Sequence, residues 1–283
     1  MSNYRTETVC VQGGYTPGNG EPRQIPIIQS TTFKYATSED MGKLFDLEAS
    51  GYFYSRLQNP TCDTVAAKTA SAQIAEYLTE QGFNLNVAPI ADLAGGVNTD
   101  YDTKTYGNDS SVASMMVAES ISGYHEKGIK TAVGAFPGES VGIVNQKDFE
   151  EWKVKDALVY QAAINADCEC MVLANVIYQP LTQSSNTICS VSENVVKYIR
   201  EEMKYNGLLM TDSLSEEVVT LNYSSKEVAV AAAKAGVNII YCPANFEEAY
   251  QAIIDAVNAG EITIEVINES VGRILTEKME SNS

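Results

Sequence analysis

The residue whose type and position most suggest chemistry is Asp212, at the end of Gly207-Leu208-Leu209-Met210-Thr211-Asp212-Ser213-Leu214. An apolar run of this length behind a glycine predicts a short buried strand of a parallel sheet. A carboxylate where such a strand stops is rigidly held, and the C-terminal ends of barrel strands are where α/β barrels keep their catalytic groups. The same acid also suits a simpler task, capping the turn or helix that follows. The local pattern leaves both readings open.

Other reactive side chains are sparse. His125 is the only histidine, so a multi-histidine metal site is excluded. It lies late in an expected helix, just before Gly128, and reads as a surface residue. The six cysteines are Cys10, Cys62, Cys168, Cys170, Cys189 and Cys242. None forms a CxxC pair. Cys168 and Cys170 flank Glu169 at the start of an apolar run and read as packing residues. Scattered cysteines point to reduced thiols in a cytosol.

Regular elements able to hold Asp212 begin only after about residue 70. Strand-like runs at 84–89, 130–136, 170–177, 207–211 and 237–242 alternate with amphipathic stretches near 110–127, 148–165, 192–204, 225–235, 245–258 and 263–279. That alternation predicts parallel strands with helical crossovers. Gly128, Gly207 and Gly236 each follow an expected helix, where a C-terminal cap needs positive φ. No GxGxxG follows a strand and no P-loop is present, which removes the main support for nucleotide-binding versions of the fold. Five strands are visible where a barrel needs eight, so the expected fold is α/β: an incomplete TIM-type (β/α) barrel behind an irregular N-terminal arm. Residues 61–78 are Ala-rich and predict a long helix leading into the barrel region.

The net charge is −18, from 37 acidic and 19 basic residues. Phosphates would be repelled, which argues against nucleic acid and anionic membranes as partners. The start of the chain lacks an apolar signal-like core, and no run reaches membrane-spanning length. The expected location is cytoplasmic.

Along residues 70–283 these stretches occur in order: Ile74–Leu78 with 82–92; Lys104-Thr105-Tyr106-Gly107-Asn108-Asp109; Phe136-Pro137-Gly138; 171–178; 207–214; 235–238; and 267–275. In that order they resemble the N-terminal barrel domain of glycoside hydrolase family 3, which includes β-glucosidases and β-N-acetylhexosaminidases; 104–109 is similar to its R-S-F-G-x-D segment and 136–138 to the end of its K-H-F-P-G-H. The resemblance implies hydrolysis of O-glycosyl bonds, with Asp212 as nucleophile and Asp92, Lys104 and Asn175 binding substrate. Retaining hydrolysis needs that carboxylate and a second group to protonate the leaving oxygen.

The chain also departs from the family. The Lys and His of K-H-F-P-G-H are here Gly134 and Ala135. The loop that should carry an Asp-x-His dyad reads Ser140-Val141-Gly142-Ile143-Val144-Asn145-Gln146. Glu139 is the substitute acid/base candidate, while Glu216 and Glu217 read as the start of the next helix, where acids suit the dipole. The family's first two strands are not recognisable. The expectation is therefore an impaired hydrolase, with a degenerate carbohydrate-binding or interaction module as the alternative.

Residues 1–69 resemble a different family. Pro26-Ile27-Ile28-Gln29-Ser30-Thr31-Thr32-Phe33 and Tyr52-Phe53-Tyr54-Ser55-Arg56-Leu57-Gln58-Asn59-Pro60-Thr61 are similar to the N-terminal arm of the Cys/Met-metabolism pyridoxal-phosphate enzymes, of O-acetylhomoserine sulfhydrylase type. The resemblance implies that Tyr54 and Arg56 correspond to residues reaching a neighbouring subunit's cofactor phosphate. No S-x-T-K segment follows to supply a Schiff-base lysine. Pyridoxal phosphate therefore enters only under a third reading, a fragment of such an enzyme, and no cofactor is otherwise expected. The simplest organisation is a fusion with its seam near 66–72. A barrel without its first strands exposes sheet edges, which the arm or a second copy of the chain is expected to cover.

Overall fold

The computed structural model describes residues 60–94, 104–138 and 148–280. Contacts divide the chain into Met1–Ala66 and Ala67–Ser283; the architecture below is that of the second unit and the helix leading into it. Helix α1, Pro60–Glu80, starts on a proline, whose fixed φ suits a first helical turn. Ala67, Ser71 and Ala75 are buried at intervals of four, the spacing of one helix face. Ser71 meets Ser120 of the next helix through their hydroxyls.

Four strands form one parallel sheet in sequence order: β1 Leu85–Asn86, β2 Lys130–Phe136, β3 Cys170–Leu173 and β4 Leu208–Thr211. Between β1 and β2 lies α2, Ser110–His125. The expected helix at 148–165 breaks at Lys155 into α3, Phe149–Val154, and α4, Asp156–Asn165. The β3–β4 crossover carries a short α5, Gln179–Thr182, a 3-10 turn at Cys189–Val191, and α6, Glu193–Glu201. After β4 come α7, Glu217–Thr220, α8, Ser225–Ala235, α9, Phe246–Asn258, and α10, Ile264–Glu280.

The expected strand at 237–242 contributes less than anticipated. It joins β4 by a single parallel bridge, Ile239 to Met210. Ile239 N–H donates to Leu209 O at 3.0 Å, and Thr211 N–H donates to Ile239 O at 3.0 Å. Among the described residues the sheet does not close. It is the arc of an incomplete (β/α) barrel. Beside β1, Phe83 and Val87 are exposed.

Successive side chains of β3 and β4 alternate between two apolar clusters, as strand geometry requires. Met171, Leu173 and Leu209 pack with Val117, Ile121, Trp152, Tyr160, Val195 and Ile199 from the helices. Cys170, Val172, Leu208 and Met210 join Ala132, Leu85, Ile239 and Ile274 on the other, concave face. Ile274 belongs to α10, which lies across the N-terminal ends of the strands. Lys130 Nζ donates to Glu277 O at 2.7 Å and pairs with its Oε2 at 2.6 Å. Arg273 donates to Asn206 O at 2.6 Å, and Asn238 Nδ2 to Ser270 Oγ at 3.1 Å. These bonds tie one helix to the starts of β2, β4 and the Ile239 segment.

The glycine expectation holds at Gly128 and Gly236, with φ of +74° and +90°, and fails at Gly207. The left-handed residue ahead of β4 is Lys204, at φ +58°. Gly207 is small for another reason: a Cβ there would run into the Tyr205 ring and come within 2.8 Å of Glu169 O. Arg200 of α6 donates to Gly207 O at 2.7 Å and to Asn238 Oδ1 at 3.2 Å. The base of β4 is thereby fixed from two sides.

Candidate active site

Asp212 stands immediately past β4. Its N–H donates to Leu173 O at 2.9 Å, so the ladder to β3 runs one residue beyond the strand. By alternation Asp212 continues the concave face of Leu208 and Met210. The residue is half-buried, and Oδ1 accepts from Ser213 N–H at 2.7 Å. Asp212 does not cap the next helix, whose N-cap is Glu216; its bond to the Ser213 amide is one to the turn that follows. The Asp212 carboxylate is held by its neighbour's amide and by no helical one.

Asn175, two residues past β3, is 4% exposed. Its Nδ2 donates to Ser213 O at 2.8 Å and to Glu216 Oε2 at 2.9 Å, and its Oδ1 accepts from the buried Ser190 hydroxyl at 2.7 Å. A backbone carbonyl can only accept, so the amide nitrogen must face Ser213 O, and the Glu216 carboxyl lies beside it. The turn after β4 is thus clamped to the end of β3.

Asp92 lies beyond β1, where Ala91 N–H donates to Gly134 O at 2.6 Å. It is buried and accepts from the Tyr160 hydroxyl at 2.7 Å. That hydroxyl is also 2.9 Å from Ala135 O, so one side chain of α4 links the ends of β1 and β2. Pro137 is fixed in turn by Trp152, whose Nε1 donates to its carbonyl at 2.9 Å. Trp152 is fully buried, edge-on to Phe136 at 5.7 Å. Lys104 is exposed, ahead of α2. Glu139, Tyr54 and Arg56 lie outside the described residues.

Asp92, Asn175 and Asp212 therefore all stand beyond C-terminal strand ends, on two hydrogen-bonded frames. Asn175 and Asp212 share one through Ser213; Asp92 belongs to the other through Tyr160. Tyr160, Ser190 and the direction of the Glu216 side chain were not legible, since a tyrosine on a helix and a serine in a loop carry no local signal.

His125 is elsewhere, and it is no plain surface residue. It ends α2 and sits 3.2 Å from both oxygens of Glu169. Glu169 also accepts from Thr131 N–H at 2.9 Å and its hydroxyl at 3.1 Å. The Glu169 hydrogen bond raises the His125 pKa against the opposing pull of burial. For Glu169, burial pushes upward, but the bonds from His125 and Thr131 outweigh it and the pKa is lowered. The pair lies at the starts of β2 and β3, the opposite end of the sheet from Asp212. Cys168 and Cys170 flank it and are buried, as their packing role required, and burial pushes the Cys168 thiol up to about 12. Among the described residues no group of three or more metal-ligating side chains could hold an ion, and no helix is long and apolar enough to cross a membrane.

The glycosyl hydrolase family 3 N terminal domain matches residues 54–277. The chain belongs to glycosyl hydrolase family 3. The β-N-acetylglucosaminidase/β-glucosidase of Cellulomonas fimi is 23% identical over 236 residues, covering 77% of this chain and 42% of that protein. The solved family 3 β-N-acetylglucosaminidase from Paenibacillus sp. str. FPU-7 has a TM-score of 0.73 at 25% identity, over 77% of this chain and 44% of that one. The chain thus spans less than half the length of these relatives. Residues 7–82 match a second family, the Cys/Met metabolism PLP-dependent enzymes. There the O-acetyl-L-homoserine sulfhydrylase of Leptospira meyeri is 30% identical over 94 residues, 32% of this chain and 21% of that protein. The two family matches overlap at 54–82, the stretch that contains α1.

Proposed function

We propose that this family 3 chain hydrolyses an O-glycosyl bond of a β-N-acetylhexosaminide or β-glucoside with retention, Asp212 being the nucleophile. The observation that carries this is the Asp212 carboxylate, held by the Ser213 amide at the end of β4 in a chain of this family. A carboxylate fixed at a strand end loses little freedom on meeting an anomeric carbon, which is the advantage of a pre-positioned nucleophile. The family resemblance supports Lys104, Asp92 and Asn175 as substrate-binding groups in this reading; Asp92 and Asn175 stand beyond strand ends on the side of Asp212. Gly134 and Ala135 offer no polar side chain there, so binding is weak and turnover slow. This same pair of residues supports the second reading, a carbohydrate-binding module without turnover.

The test is hydrolysis of an aryl β-N-acetylglucosaminide and an aryl β-glucoside by the full chain. Asp212→Asn is expected to lower the rate by up to about 10⁶-fold, the scale for losing a nucleophile. Equal rates in both proteins refute the assignment, while calorimetric binding of N-acetylglucosamine or glucose without hydrolysis selects the module. The overlapping family matches support a division into an arm, 1–69, and a barrel region, 70–283, with the seam in α1. No step involves pyridoxal phosphate, because the arm carries Tyr54 and Arg56 without a Schiff-base lysine segment behind them. The free thiols of Cys168, Cys170, Cys189 and Cys242 support a reducing, cytoplasmic location.

A further inference from the structure

Retaining hydrolysis needs a second protonatable group near Asp212, and the expected Asp-x-His dyad is replaced in the sequence. We propose that Glu216 is that group: it protonates the leaving glycosidic oxygen and then takes the proton of the attacking water. This assignment rests on the hydrolase reading above.

Glu216 occupies the N-cap of α7 yet makes no capping hydrogen bond. A cap residue normally turns its side chain to the helix's own first amides. Glu216 instead places Oε2 2.9 Å from Asn175 Nδ2, beside the end of β3. The same nitrogen donates to Ser213 O, and the Ser213 N–H is bound by Asp212. Asp212 and Glu216 therefore hang from one frame, joined by a single buried amide whose orientation Ser190 fixes. Only Oε2 of Glu216 is engaged among the described residues; the residue is exposed, so the other oxygen remains open to a ligand and to water. In the local sequence Asp212-Ser213-Leu214-Ser215-Glu216, the intervening Leu214 is buried, anchoring the turn that carries both carboxyls.

The steps balance simply. An Asp212 oxygen bonds to the anomeric carbon as the glycosidic C–O bond breaks, and the departing oxygen takes the Glu216 proton. Glu216, now a carboxylate, accepts a proton from water while the water oxygen bonds to the anomeric carbon. The Asp212 ester bond breaks, and both residues return to their starting states.

The experiment compares wild type, Glu216→Gln, Glu216→Ala, Glu139→Gln and Asp212→Asn on two aryl glycosides. One carries a 2,4-dinitrophenolate leaving group, which needs no proton; the other carries an unactivated phenol. Glu216→Gln is expected to lose about 10²–10⁴-fold on the unactivated substrate, the usual contribution of a positioned acid. It should keep a near wild-type burst of dinitrophenolate. Azide, a nucleophile that needs no base, should restore turnover in Glu216→Ala and yield a β-glycosyl azide. Equal losses on both substrates, no azide product, or the same signature in Glu139→Gln instead, overturns the Glu216 assignment while the nucleophile stands. A wild type as inactive as Asp212→Asn on both substrates overturns the hydrolase reading and this one together.

Discussion

Asn175→Ala is the perturbation that most sharply tests the architecture around Asp212. The amide makes three hydrogen bonds, to Ser213 O at 2.8 Å, Glu216 Oε2 at 2.9 Å and the Ser190 hydroxyl at 2.7 Å. Alanine strands the fully buried Ser190 hydroxyl and the Ser213 carbonyl, each at about 1–3 kcal/mol for an unsatisfied group. Glu216 is exposed and water replaces its partner, so it adds nothing to the sum. The expected loss is about 2–6 kcal/mol, a fall in Tm of about 4–24 °C for a domain of this size. Urea unfolding should show a lower midpoint with an unchanged slope. In a double-mutant cycle, Ser190→Ala added to Asn175→Ala should cost less than its single effect by about 1 kcal/mol, because the bond is already gone. Asn175→Asp should destabilise more at neutral than at acidic pH, since it sets a carboxylate against a carbonyl and Glu216. An Asn175→Ala protein within about 0.5 kcal/mol of wild type, the range of an ordinary surface change, refutes the clamp.

Two further outcomes follow from the opposite end of the sheet. The raised His125 pKa contributes stability that is complete below the ordinary value of 6.5 and lost as pH rises through the raised value. The lowered Glu169 pKa contributes stability present above 4.5 and lost as pH falls through the lowered value. Their joint contribution is therefore complete between about 4.5 and 6.5, and thermal melts of His125→Gln should lose the decline on the alkaline side; an unchanged profile refutes the pairing. Gly207→Ala drives a methyl group into the Tyr205 ring and Glu169 O and should cost about 1–3 kcal/mol, the scale of overpacking, read by denaturant unfolding.

The sheet was legible where strands are fully buried. The apolar runs at 130–136 and 207–211 have the uniform character that burial on both faces demands, and β2 and β4 fall there. The run at 237–242 has similar composition but, among the described residues, only one strand neighbour, and its pairing stops at Ile239. The break at Lys155 was invisible because neither Pro nor Gly marks it. At the site, Asp212 was legible from its position behind a strand. The bonds that set its surroundings join residues 38 and 41 positions apart, and a local pattern carries no trace of them. His125 was misread for the same reason: its partner Glu169 is 44 residues away.

The central claim is that Asp212 attacks an anomeric carbon. A 2-deoxy-2-fluoro-β-glycoside with a dinitrophenolate leaving group tests it directly. Fluorine beside the reacting carbon destabilises the charged transition states of both steps, and the good leaving group rescues only the first, so the ester intermediate accumulates. Intact mass spectrometry should show one fluoroglycosyl group per chain, mapped by proteolysis to the peptide containing Asp212 and absent from Asp212→Asn. A label on any other residue, or an unlabelled protein that still hydrolyses aryl glycosides, contradicts it.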